Sequence, residues 1–361
     1  MTTFARELIR LGFDITIYAP AYPGYRDEEP NVFRVWSLAL PTNPRYPLAL
    51  PFPPRLRRQL NARPPALVHT QSPLMMGRLG ARVARRRGAP LVFTYHTLIE
   101  AYAHYVPLPR GLVRREAVRL SRRYANQADC VVVPTSGIRE VLRGYGVERR
   151  IEVIPTGIDL ELARPPFAPI RPRWGIPAEA PLLLYAGRIA REKSTEVLLE
   201  AFARLSAAHP QAHLLLAGGG PWLEHCRQLA GGLGVGSRVH FAGFLSREEV
   251  FRCCADADVF VFPSMTDTQG LVLLEAMAVG TPCVAARSAA AGDVVVDGRT
   301  GLLAAPDAAS LAEAVSRLLR DDGLRRSMGE QARIQAERFS APACAARLAA
   351  LYRELAPASE D

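Results

Sequence analysis

Lysine is almost missing from this 361-residue chain. Of its 45 basic residues only Lys193 is a lysine; every other one is arginine. A lone lysine in an arginine-biased sequence is either chance or the mark of a position that needs a compact point charge where a planar guanidinium would not do. The sequence also lacks any apolar run of the about 18 residues that spanning a bilayer requires. Its first residues read as an amphipathic helix, not as a signal peptide. The six cysteines (130, 226, 253, 254, 283 and 344) form no CxxC pair and no metal-ligand spacing. That excludes a disulfide framework or zinc module and fits reduced thiols in a cytoplasmic protein. No GxGxxG opens either half, which argues against a dinucleotide-dependent oxidoreductase or epimerase. No internal repeat is evident.

What is present is a soluble composition, 49% hydrophobic and 22% charged. The length exceeds one ordinary core, so two domains are expected. Charge is uneven. Residues 1–165 carry 25 arginines against 13 acids, and the remainder is close to neutral, out of a net +10. Short apolar runs alternate with helical periodicity along most of the chain, which predicts βαβ units and parallel sheets. In the first half the runs are FDITIYAP, ALVHTQS, the strand at 91–95, CVVVPTS and RIEVIPTGID. In the second they are PLLLYAG, AHLLLAG, RVHFAGF, DVFVFP, PCVAA and TGLLAA. Residues 20–65 are proline-rich and read as loops with a strand near Val32–Trp36. The proline-rich stretch 161–177 reads as a linker. The expected domains are 1–165, 166–338 and a C-terminal helical segment, 339–361, packing back toward the first.

The stretch PSMTDTQGLVLLEAMAVGTP, from Pro263 to Pro282, carries the most chemistry. It reads as a strand end, a polar loop, and a helix opened by Gly270 and closed by Gly280 and Pro282. Asp267 falls in the loop and Glu275 in the helix. Amides near Gly270 and Leu271 form a positive helix start suited to phosphate. Carboxylates for sugar hydroxyls beside amides for phosphate suit a nucleotide-sugar. Gly187, Arg188 and Lys193 follow a strand's carboxyl end, where open α/β sheets bind ligands; a fork-shaped arginine with a point-charge lysine would neutralise a diphosphate. AGGGPWLEHC, including Gly218, is a further loop at that edge. The DAD at 256–258 looks like a metal-binding DxD, but its place directly before a buried strand favours a structural role. His96 ends a strand and is followed by Glu100, Tyr102 and His104, an imidazole- and hydroxyl-rich loop suited to a polyol. Helices near 74–87 and 110–128 each carry a stripe of arginines with few acidic partners. A charged stripe is usually a solvated face, but an excess this poor in acids fits an anionic surface, either a membrane or a polyanion. Nucleic acid is disfavoured, since no recognised binding motif accompanies the charge.

Together AGRIAREK, HFAGF, FPSMTDTQGLVLLEAMAVGTP and AGDVVVDGRTGLL resemble the family 4 retaining glycosyltransferases. That resemblance implies the GT-B fold: two Rossmann-like parallel-sheet α/β domains facing a cleft. It also implies a metal-independent hexosyltransferase whose nucleotide-sugar is a substrate, with no cofactor. The family's E-x7-E pair falls on Asp267 and Glu275. By resemblance Asp267 contacts the donor sugar and Glu275 the ribose. Gln269, Gly270 and Leu271 offer amides to phosphate and sugar, and Arg188 and Lys193 hold the diphosphate. Phe244 and Leu245 flank the base, and His96 lies between donor sugar and acceptor. YHTLIEAYAHYVPLP and TDTQG look most like diacylglycerol glucosyltransferases, implying UDP-glucose, a lipid acceptor, and a peripheral place on the inner face of a bacterial membrane. A soluble or polysaccharide acceptor, or an inactive nucleotide-sugar-binding remnant, are the alternatives. The family begins with a strand and a glycine-containing loop, whereas here the first element reads as the helix that would follow them; the expectation is an N-terminal domain lacking its first strand.

Overall fold

The computed structural model describes residues 2–21, 31–40, 43–49 and 54–356. The described residues divide into two compact units. One holds the chain up to Pro134, residues 138–154 and the stretch from Cys344; the other holds Thr135–Gly137 and Pro155–Ala343.

In the first unit, β1 (Ile17–Pro20) pairs in parallel with β2 (Val32–Val35), and β3 (Ser37–Leu40) pairs antiparallel with β4 (Asn43–Ala49). The last pair lies where the sequence predicts loops; residues 22–30, 41–42 and 50–53 of that region are outside the described residues. A separate four-stranded parallel sheet runs in chain order through β5 (Val68–Thr70), β6 (Leu91–Thr94), β7 (Cys130–Val133) and β8 (Arg150–Val153). Helices Met75–Arg87 and Arg110–Ala125 connect β5 to β6 and β6 to β7. β7 is CVVV with all four residues buried, the continuous apolar pattern of a strand covered on both faces. The C-terminal helix Ala341–Leu355 supplies Leu348, Leu351 and Tyr352 to a cluster with Leu8, Val92, Val132 and Ile154. Burying each such leucine contributes about 1.5–3 kcal/mol.

The second unit is built on six parallel strands: β9 (Leu182–Ala186), β10 (His213–Ala217), β11 (Val239–Gly243), β12 (Val259–Phe262), β13 (Cys283–Ala286) and β14 (Gly301–Ala304). Their spatial order is β11-β10-β9-β12-β13-β14. The order reverses between β9 and β12, which puts the carboxyl ends of these two central strands at the switch point where such sheets bind ligands. Strand alternation divides the core. Leu182, Leu184 and Ala186 join Phe260, Phe262, Leu273 and Met277. Leu183 and Tyr185 join Leu198, Phe202, Val259 and Val261.

The stretch expected to be a linker is packed into the second unit. Ile170 and Trp174 lie against its apolar core. Arg171 is nearly buried and donates to Asp256 Oδ1 at 3.2 Å, to Asp258 Oδ2 at 3.0 Å and to the carbonyl of Ala180. The amides of Ile170 and Arg171 donate to Asp256 Oδ2. Both carboxylates of the DAD sequence therefore fasten this strap to the start of β12.

Candidate functional site

Two loops at the carboxyl ends of β9 and β10 are tied backbone to backbone. Gly187 N–H donates to Ala217 O at 2.9 Å, Ile189 N–H to Gly219 O at 3.0 Å, and Trp222 N–H to Ile189 O at 3.1 Å. The approach is so close that a Cβ on Gly218 would sit 1.9 Å from Gly187 O, and one on Gly220 2.1 Å from Ile189 O. Gly218 also holds φ +139°, a backbone that side chains disfavour. The third glycine, Gly219, lies under the ring of Phe244, whose edge would be 2.8 Å from an added Cβ. Phe244 is 77% exposed, so its other face offers a flat apolar surface. Leu245 turns into the core instead.

After Gly187 the chain makes a short turn over Arg191–Lys193 and enters helix Thr195–Ala208. Tyr185 O–H donates to Arg188 O at 2.8 Å, and Arg188 lies 3.7 Å from the buried carboxylate of Glu192. Thr266 Oγ1 donates to Glu192 O at 2.9 Å, joining this turn to the loop after β12. Across that join Lys193 Nζ meets Asp267 Oδ1 at 2.7 Å. The second oxygen, Asp267 Oδ2, is buried with no hydrogen-bond partner. A buried unsatisfied acceptor is costly, and a ligand hydroxyl would satisfy it.

The helix behind this loop, Leu271–Ala278, begins at Gly270, which caps it with φ +71°. The first amides of a helix have no intrahelical acceptor. Gln269 is fixed by its side chain: Oε1 accepts from Thr156 N–H at 2.8 Å and Nε2 donates to Thr156 O at 2.9 Å. It therefore has only its backbone to offer a ligand. One turn into the helix, Glu275 Oε1 accepts from Arg247 Nε at 3.2 Å. Burial pushes the Glu275 carboxyl above the ordinary glutamate value while Arg247 pulls it back. Arg247 opens helix Arg247–Asp256, whose start is fixed by a Ser246–Glu249 capping box. A cation at a helix start opposes the helix dipole, and Glu275 supplies the compensation. Each carboxylate of the Asp267/Glu275 pair is thus held by one cation.

Sequence reasoning missed Arg247, although an arginine at the first position of a helix is a readable signal. It also missed the support from Thr135–Gly137. Thr135 Oγ1 donates to Thr268 O at 3.0 Å, and Ser136 Oγ to Asp293 Oδ1 at 2.6 Å. Those partners stand more than 130 residues apart in the chain.

Arg188, Lys193, Asp267, Gly187, Gly218, Phe244, Leu245, Gln269, Gly270, Leu271 and Glu275 all belong to the second unit. His96, Glu100, Tyr102 and His104 belong to the first. His96 follows the end of β6; it keeps solvent access, yet the protein crowds its ring enough to hold its pKa below the usual histidine value. Glu100 departs from expectation. It is buried, with one carboxylate oxygen accepting from Tyr145 O–H and the other from Tyr95 O–H at 3.4 Å. It anchors the segment Ile99–Tyr105 instead of facing an acceptor. On that segment Tyr105 stacks against Tyr102 with centroids at 6.3 Å and lies tilted against the His104 ring at 4.2 Å.

Two family models match the chain: "Glycosyltransferase Family 4" over residues 1–162 and "Glycosyl transferases group 1" over residues 167–335. An alpha-monoglucosyldiacylglycerol synthase of Streptococcus pneumoniae is 33% identical over 66% of this chain and 55% of its own length, so the chain spans about half of that relative. A GDP-mannose-dependent alpha-(1-6)-phosphatidylinositol monomannoside mannosyltransferase of Mycolicibacterium smegmatis is 30% identical over 91% of this chain and 87% of its own. Among solved structures, a sucrose-phosphate synthase of Thermosynechococcus elongatus superposes with TM-score 0.82 at 27% identity, covering 99% of this chain and 92% of that one.

Proposed function

Because this chain belongs to the family 4 glycosyltransferases, of GT-B fold, we propose that it moves glucose from UDP-glucose to the hydroxyl of a membrane lipid such as diacylglycerol, with retention of configuration. The observation that carries the reading is the junction of Lys193 and Asp267. The only lysine of the chain neutralises one oxygen of a loop carboxylate whose other oxygen is buried and unsatisfied.

The donor enters the second unit. Its diphosphate draws Lys193 and Arg188 and takes amides from Gln269, Gly270 and Leu271 at the helix start. Its sugar hydroxyls satisfy Asp267, and its ribose takes Glu275 from Arg247. The uracil lies on the open face of Phe244. Gly187 and Gly218 let backbone approach the phosphates. As the bond to the sugar breaks, negative charge gathers on the diphosphate, and fixed cations and amides stabilise it at no cost in reorganisation. The acceptor attacks from the side on which the nucleotide leaves; the family resemblance assigns His96, whose pKa burial lowers, to the acceptor. Tyr102 and His104 guide the acceptor. The arginine-bearing helices Met75–Arg87 and Arg110–Ala125 face an anionic membrane. Among the described residues no helix is long and apolar enough to cross one.

Radiolabelled UDP-glucose, offered with diacylglycerol in anionic vesicles, yields labelled glucolipid under this reading. Transfer only from GDP-mannose would move the donor assignment. Transfer only to a soluble acceptor would remove the lipid and leave the family activity.

A further inference from the structure

Between the acceptor loop and the basic helix of the first unit, the chain exposes apolar side chains in succession. Tyr105, Val106, Leu108 and Leu112 are 46, 41, 59 and 51% exposed. The intervening Pro107, Pro109, Arg110 and Gly111 are exposed as well. Scattered surface leucines need no explanation, but a contiguous apolar patch marks a contact surface.

The backbone of this segment is prepared for a medium without water. Val106 N–H donates to Ala103 O at 3.3 Å and Leu108 N–H to Val106 O at 2.8 Å. Pro107 and Pro109 have no N–H to satisfy. From 106 to 109, every amide proton the chain possesses therefore has an internal acceptor, which lowers the cost of entering an apolar layer. The segment is also held in place. Glu100 pins the preceding turn to Tyr95 and Tyr145, and Tyr105 packs against the His104 ring.

The charge beside it selects the partner. Helix Arg110–Ala125 exposes Arg110, Arg114, Arg115, Arg119, Arg122 and Arg123 against one acid, Glu116, which pairs with Arg119 at 2.8 Å. An apolar tip collared by guanidinium groups complements the acyl boundary and phosphate headgroups of an anionic leaflet.

We propose that Tyr105–Leu112 is a wedge that inserts into the interfacial layer of an anionic bilayer, with the arginines of the following helix on the headgroups. The proposal rests on the lipid-acceptor reading and deepens it. The wedge directly continues the loop that carries Tyr102 and His104, so insertion would place that loop where a lipid hydroxyl emerges.

All six native cysteines are buried, so a cysteine introduced by Leu108→Cys can be labelled selectively with an environment-sensitive nitrobenzoxadiazole dye. Glu313→Cys, on an exposed helix position of the second unit, is the control. With equimolar phosphatidylcholine and phosphatidylglycerol vesicles, the dye at 108 should brighten, shift to the blue and be quenched by brominated acyl chains. The dye at 313 should not change. Val106→Ser with Leu108→Ser should weaken vesicle binding by roughly tenfold or more, with the circular dichroism spectrum unchanged. A dye at 108 that stays water-like while the protein co-sediments with the vesicles would overturn the wedge and leave a purely electrostatic membrane face. Failure of the unlabelled protein to co-sediment with anionic vesicles at all would sink the wedge and the lipid-surface reading together. Continued transfer to a soluble acceptor would then show that the enzyme reading survives.

Discussion

In the second unit the loops after β9 and β10 are sewn together by main-chain hydrogen bonds, and glycine is required because carbonyls lie about 2 Å from where a Cβ would stand. In the first unit the segment after β6 is held from below by side chains, Glu100 between two tyrosines, and presents aromatic and apolar groups outward. One region fixes backbone so that a few charges stand at set positions. The other fixes a platform and leaves its surface to composition. The contrast fits a donor whose diphosphate must be met to within fractions of an ångström, and an acceptor met through a surface.

The sharpest way to break this contrast is at Lys193. Lys193→Ala should lower turnover by about 100- to 1000-fold, the usual cost of removing one charge-stabilising contact, while thermal unfolding stays close to wild type. Turnover near the wild-type rate would remove the lysine from the donor site. Charge reversal in the other region, Arg115, Arg119 and Arg122 each to Glu, should weaken binding to anionic vesicles by about 100-fold, at about 1 kcal/mol per basic residue near the surface. Donor affinity in that variant should not move; if it falls in parallel, the two regions are not separable as described.

Gly218→Ala tests the backbone stitching. The added methyl meets Gly187 O, so the loops must part. Stability should drop by on the order of 1–3 kcal/mol, read as a lower unfolding temperature, together with weaker UDP binding. The smallest effect concerns pH. Burial holds the Glu275 carboxyl above the ordinary glutamate value, so on acidification it takes up a proton before an exposed glutamate does and loses its charge toward the ribose. Donor affinity should decline on the acid side by a few-fold, and Glu275→Gln should flatten that decline. An acid-side profile identical in the two proteins contradicts the assignment.

Much of this was legible in the sequence. The six strands of the second unit follow from runs such as LLLYA and VFVF, whose apolar continuity has one reading in a sheet covered on both faces. Lys193 and Asp267 were legible because a single lysine and a polar loop before a helix are local features. What escaped depends on distant partners. Glu100 reads as a polar loop residue until Tyr145 reaches it from 45 positions away. That the Gln269 side chain is taken up at both ends by Thr156, leaving its amide for a ligand, depends on a residue 113 positions away. Residues 161–177 read as a linker because proline masks periodicity, and only the fold brings Asp256 and Asp258 to Arg171. The apolar residues at 105–109 stand in the sequence but are not separable from core there, since exposure is not written in an apolar run.

The measurement that bears most directly on the central claim is calorimetric titration of UDP and of UDP-glucose into the wild type and into Asp267→Asn. The wild type should bind UDP-glucose more tightly than UDP. In Asp267→Asn that advantage should disappear while UDP itself still binds, because the buried carboxylate oxygen without a partner is what the sugar hydroxyl satisfies. An Asp267→Asn protein that binds UDP-glucose as tightly as the wild type, or a wild type that binds neither ligand, would contradict it.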